Sequence, residues 1–200
     1  MNTVARKRTY RMTARADAAQ ATGERILEAA GEVFWERPAQ DISLEEVARR
    51  AGVTKQTVLR RFGSKAGLFA AAADREHERI RGERGEGVPG DVDGAVAALV
   101  AHYERLGDAV VRLLAEEVRH PELAVHADRG RAYHAGWCER AFAPALEGLG
   151  VAERERRLAQ LITVTDVYAW KLLRRDRGLS RRATEVAMRE LVEALAGARR

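Results

Sequence analysis

The chain has 200 residues, enough for one or two small domains with a real core, and it carries a net charge of +5. Its 46% hydrophobic content, four prolines and few β-branched runs favour an all-helical globular chain. A single cysteine excludes an intrachain disulfide, and no apolar run reaches the length of a membrane span.

The charge is unevenly spread. Residues 1–82 hold 16 Lys and Arg against 11 Asp and Glu, whereas residues 83–200 hold 19 of each. The whole excess sits at one end, as an electrostatic footprint on nucleic acid requires. The N-terminus is basic but no apolar core follows it, so it does not read as a secretory signal. The chain reads as cytoplasmic, in association with the nucleoid.

Residues 1–20 carry Arg6, Lys7, Arg8, Arg11 and Arg15 with almost no acid. They read as a flexible basic arm that either has no role or follows phosphates and enters a minor groove. A first helix is expected from Thr22 to Glu36, with Ile26, Leu27, Ala30, Val33 and Phe34 as its buried stripe. Its outer face is acidic, through Glu24, Glu28, Glu32 and Glu36, and should turn away from a polyanion.

Ser43 and Glu46 form an S-x-x-E capping box, so a second helix should start at Leu44. Leu44, Val47, Ala48 and Ala51 give it one buried face. Gly52 supplies the left-handed conformation of a tight turn, with Val53 buried behind it. Thr54 caps a third helix that runs to about Phe62.

On that third helix Val58, Leu59 and Phe62 cluster on one side, while Gln56, Thr57, Arg60 and Arg61 point the other way. Guanidinium groups suit guanine edges, an amide suits adenine, and a helix N-terminus suits phosphate. These four should supply base and phosphate contacts; Ser43, Thr54, Lys55 and Lys65 should mainly position the backbone. Lys65 stands in the first turn of a helix capped by Ser64, where a cation opposes the dipole and is better placed for an external anion.

The segment Arg25–Leu68 resembles the DNA-binding domain of the TetR family of transcriptional regulators. The matching residues are Ile26, Ala29, Ala30, Phe34, Ile42, Ser43, Val47, Ala48, Ala51, Gly52, Val53, Thr57, Phe62, Lys65 and Leu68, at ungapped spacing. Leu59 stands where the family often has a phosphate-touching tyrosine, and Arg61 where histidine or tyrosine is frequent. The resemblance implies an all-α fold of about nine helices. A three-helix helix-turn-helix domain (21–82, with a connecting fourth helix) would carry a helical ligand-binding and dimerisation bundle (83–200). It also implies a homodimeric regulator, most often a repressor, on a palindromic double-stranded operator. It implies a small-molecule effector of unknown identity, no cofactor and no membrane partner. The residues themselves leave an architectural DNA-binding protein and an activator open. They hold no Gly-rich phosphate loop, G-x-S-x-G or H-E-x-x-H, so an enzyme is not expected.

After a fourth helix at 66–81 and the glycine-rich GERGEGVPG, helices are expected near 92–106, 108–119, 121–146, 152–176 and 180–197. The resemblance extends into TDVYAWKLLRRDRGLS, residues 165–180. The last two helices carry wide apolar faces through Leu158, Leu161, Ile162, Val164, Tyr168 and Leu172, then Val186, Leu191 and Leu195. Such faces must be buried, within one chain or between two. Tyr103, His134, Trp137, Asp166 and Trp170 are the candidate ligand residues: aromatic area with a few polar points. His134 and Cys138, at i and i+4, have metal-compatible spacing, with His102, His120 and His126 as nominal completions. Two matched positions do not make a metal site.

Overall fold

The computed structural model describes residues 3–37, 41–85, 88–118 and 121–197, without the side chains of 3–15, 121 and 122. His120, one of the nominal metal residues, lies outside the described residues. The described residues are helical, with no strand among them. They divide into two compact units, Met1–Glu76 and His77–Arg200.

The first unit holds α1 (Thr3–Glu36), α2 (Leu44–Arg50), α3 (Lys55–Phe62) and the start of α4 (Lys65–Arg84). The helix expected to start at Thr22 starts at Thr3, where a flexible arm was expected. The reason is local: no proline or glycine occurs before Gly23, and alanine and arginine are strong helix formers. Ile26, Ala29, Ala30 and Val33 of α1 close on Ile42, Val47, Ala48, Ala51, Val58 and Leu68 to make one core.

Ser43 caps α2, its hydroxyl accepting the Glu46 N–H at 3.1 Å. The reciprocal half of the expected capping box is not made. Instead the Glu46 carboxylate accepts from Arg37 (3.1 Å) and Arg50 (3.2 Å). Gly52 takes φ +66, and Val53 in the turn is half-buried rather than fully buried. Thr54 caps α3 by accepting the Thr57 N–H at 3.2 Å.

The second unit is built on α5 (Val92–Glu116), α6 (Pro121–Ala141), α7 (Ala143–Leu146), α8 (Val151–Thr165), α9 (Val167–Lys171) and α10 (Arg181–Gly197). A π-helical turn, Leu172–Asp176, follows α9. Three expectations are corrected. The stretch 121–146 is two helices, parted at Phe142. Residues 92–116 form one helix, because Gly107 is a point of close approach and not a break. A Cβ there would lie 2.4 Å from Cζ3 of Trp170. The stretch 152–176 is not one helix. It stops at Asp166, whose extended backbone (ψ 157) lets its carboxylate accept the Tyr168 N–H at 2.8 Å and cap α9.

The apolar faces of the last helices divide. Leu161, Met188 and Val192 join the unit's own core with Leu99, Val100, Trp137 and Trp170. Tyr168, Leu172, Val186 and Leu191 remain exposed. Among the described residues, no helix is long and apolar enough to cross a membrane.

Candidate nucleic-acid interface and effector site

The outer side of α3 follows from its sequence. Val58 is fully buried against α1 and α2, which fixes the helix rotation. That rotation leaves Lys55, Gln56, Arg60 and Arg61 exposed, with Thr57 half-buried. Gln56 and Arg60 have no hydrogen-bond or ion-pair partner among the described residues. Lys55 donates to Glu45 at 2.6 Å. Arg61 lies over the Phe62 ring at 6.0 Å and alongside Gly23, where a Cβ would meet its Nη2 at 2.3 Å. So the guanidinium of Arg61 rests against α1 at Gly23, whereas Arg60 stands clear.

The N-terminal edge of this surface is rich in donors. The Thr54 and Thr57 hydroxyls share a hydrogen bond of 2.9 Å. Ser43 accepts a backbone N–H, so its own hydroxyl proton stays available. Neither α3 nor α4 has an acid in its first turn, and Lys65 sits over the Phe69 ring at 5.9 Å. Ser64 caps α4 through the Gly67 N–H at 3.0 Å. Gly67 is dictated by close approach: a Cβ there would stand 2.2 Å from the Phe62 carbonyl oxygen. The acidic face of α1 is engaged elsewhere in the unit. Glu36 pairs with Arg50, lowering the carboxyl's pKa, and Glu24 pairs with Arg75.

In the second unit the five candidate ligand residues form one connected group. Tyr103 donates to the Thr165 carbonyl at 3.1 Å and tilts against Trp170 at 5.9 Å. Trp170 donates its indole N–H to Glu104 (3.1 Å), and Arg174 holds the same carboxylate at 2.8 Å. His134 stacks on Trp137 at 6.2 Å. Asp166 serves as the cap already described, and burial raises its pKa.

Thr165 and Arg84 tie the group together, and neither stands out in the sequence. The Thr165 hydroxyl donates to the Leu161 carbonyl at 2.7 Å, so its oxygen accepts from His134 Nε2 at 3.2 Å. His134 Nδ1 is then an acceptor for Arg84 Nη2, at 3.3 Å. Burial, then the Arg84 charge, push the His134 pKa down to about 3, so the ring is neutral. Cys138 lies 3.6 Å from His134 Nε2 and 3.4 Å from the Thr165 hydroxyl, and burial pushes its thiol up to about 11. A thiol held protonated, beside an imidazole already committed, is a poor start for a metal site. No group of three metal-ligating side chains occurs among the described residues.

Residues 26–72 match the sequence model of the family described as bacterial regulatory proteins, tetR family. The likeness to that family is carried by this stretch of the chain. It is 32% identical over 111 residues to the HTH-type transcriptional regulator UidR of Escherichia coli (strain K12), a match covering 53% of this chain and 57% of that protein. It is 42% identical over 67 residues to the uncharacterized HTH-type transcriptional regulator TtgW of Pseudomonas putida, covering 32% of this chain and 50% of that one. The chain thus spans about half the length of these relatives. A solved transcriptional regulator from Rhodococcus sp. Rha1 superposes with TM-score 0.64 at 23% identity, over 88% of this chain and 96% of that one. A tetR-family transcriptional regulator from Streptomyces coelicolor superposes with TM-score 0.61 at 18% identity, over 89% and 80%. At those identities the TetR likeness of the whole chain is one of fold.

Proposed function

We propose that the chain is a DNA-binding transcriptional regulator, a dimer on a palindromic operator, that acts as a repressor released by a small molecule held in its second unit. The observation that carries the reading is the presentation of Gln56 and Arg60. Both are exposed, without a partner among the described residues, on a helix whose opposite side, at Val58, is locked in the core. An amide and a guanidinium held out from a rigid rod match base edges in a major groove. Thr57 and Arg61 join them as base or phosphate contacts. Ser43, Thr54, Lys55 and Lys65 line the donor-rich edge that would follow the phosphates.

Dimerisation through the last helices is supported by Leu191 and Val186, 43% and 37% exposed on α10, and by Tyr168 and Leu172 before it. An apolar face left open by its own core calls for a partner surface, and a second copy supplies the two-fold symmetry that palindromic half-sites demand. An effector shifts the equilibrium only if it binds the non-operator conformation better. The unbroken helix α4, which follows the reading helix in the chain, would carry that difference.

Binding-site selection on random duplexes with the full chain tests the proposal. A palindromic consensus with half-sites about one helical turn apart is the expected result. Recovery of unrelated sequences would point to an architectural protein instead.

A further inference from the structure

Arg84 carries a charge that no carboxylate among the described residues balances. The residue is 7% exposed. Its guanidinium lies 4.2 Å over the Trp137 ring and 5.3 Å from the Tyr133 ring. Among the described residues its one hydrogen-bond partner is the neutral His134, and its Nε has none. The groups that face it are the Tyr103 and Tyr133 phenols and the Cys138 thiol, none of them a carboxylate. Burial accordingly lowers the Arg84 pKa, yet a guanidinium does not give up its proton in a protein. A buried cation without a counter-ion is costly, and cation–π contacts offset only part of the cost.

The same neighbourhood holds further unmet polar atoms. Trp137 Nε1 and the Tyr133 hydroxyl are buried without partners among the described residues, on the two rings that Arg84 covers. His102 Nδ1 is also buried and unpartnered among the described residues, and burial, then the Arg84 charge, keeps that imidazole neutral. One fixed positive charge and several unused donors define the complement: an oxyanion of single charge. Trp137 stands edge-on to Phe142 at 5.9 Å, and Arg81, which also lies over the Tyr133 ring, is paired with Glu78. A monoanion with an apolar body suits these rings better than a strongly hydrated dianion.

We propose that the second unit binds an organic carboxylate, with Arg84 as its counter-charge and Trp137 and Tyr133 as further donors. The inference deepens the effector role assigned above and rests on it. It also accounts for a cation being retained inside an aromatic cluster, where an apolar residue of similar size would pack without penalty.

The test uses the full chain and thermal unfolding with two sets of probes. Benzoate, phenylacetate, 2-naphthoate and octanoate form the first set, and their primary amides the second. At least one carboxylate should raise the melting temperature by about 5 °C or more at a hundredfold excess over its Kd. Its amide should not. In Arg84→Gln the carboxylate-dependent rise should vanish, while the unliganded melting temperature stays level or increases because a buried charge is gone. The amide comparison on the unaltered chain stands even if that variant folds poorly. Equal shifts from acids and amides, a shift that survives Arg84→Gln, or no shift from any carboxylate at millimolar concentration would overturn the proposal. Operator selection is read independently, so failure here leaves the DNA-binding reading standing.

Discussion

Gly107 and Trp170 meet in the core of the second unit. The six-membered ring of the indole lies where a Cβ at position 107 would stand, with Cζ3, Cη2 and Cε3 at 2.4, 2.7 and 2.8 Å. The ring cannot retreat, because it is fully buried, its N–H is held by Glu104, and Arg175 lies 4.6 Å over its face. Gly107→Ala should therefore destabilise by about 1–3 kcal/mol, although alanine is the better helix former by about 1 kcal/mol. Gly130, on α6 with no atom within 4 Å of its would-be Cβ, is the control. Gly130→Ala should stabilise by about 0.5–1 kcal/mol. Urea unfolding of the two variants checks the pair, and opposite signs are expected.

Gly67 and Gly23 offer a similar contrast in the first unit. At Gly67 a Cβ would strike the Phe62 carbonyl oxygen, a backbone atom at the end of α3. At Gly23 it would meet only the far end of the Arg61 side chain. Gly67→Ala should cost about 1–3 kcal/mol. Gly23→Ala should leave stability within about 0.5 kcal/mol, because an exposed arginine swings aside. Thermal unfolding of each variant separates the two cases.

Acid should weaken the second unit through its histidines. Burial and then the Arg84 charge push the pKa values of His134 and His102 down to about 3, against an ordinary value of 6.5. Between those values the unfolded chain binds protons that the folded chain refuses, so stability rises with pH across that window. The contribution is fully present above about pH 6.5 and is lost as pH falls toward 3. The slope is at most about 1.4 kcal/mol per pH unit for each histidine. Urea titrations at several pH values should show that slope, and His102→Asn should flatten it between pH 4 and 6. An unchanged slope in the variant would mean that other groups control acid unfolding.

Much of the first unit is visible in the sequence, because its signals are short-range. Ser43, Gly52, Thr54 and Ser64 each act on backbone within three or four residues, and each occupies the place that its type implies. The face of α3 follows from Val58 alone. Contacts between distant residues are not visible in this way. Gly107 looks like a helix break until Trp170 is brought beside it, and the stop at Asp166 shows only once its carboxylate is seen to cap α9. Arg84 is hardest of all, one arginine among 35 basic residues, marked out only by a burial that no local pattern encodes. The start of α1 differs for another reason: charge suggested a loose arm, while the helix propensity of the same residues extends the helix to Thr3.

Arg60 and Lys55 should separate base reading from backbone attraction. Arg60 is exposed without a partner among the described residues, whereas Lys55 shares its charge with Glu45. Arg60→Ala should weaken specific binding by about 1–3 kcal/mol and relax the preference at one base position. Lys55→Ala should weaken all duplexes alike, with a smaller loss. Competition binding against single-base variants of the selected site distinguishes them.

The most direct measurement is the affinity of the purified full chain for its selected palindromic duplex and for a scrambled duplex of equal length, followed by fluorescence anisotropy from 50 to 300 mM salt. If the helix Lys55–Phe62 reads the major groove, the palindrome should bind at least about a thousandfold more tightly near physiological salt, and both affinities should fall steeply as salt rises. Equal affinity for the two duplexes, or binding that ignores salt, would contradict the assignment.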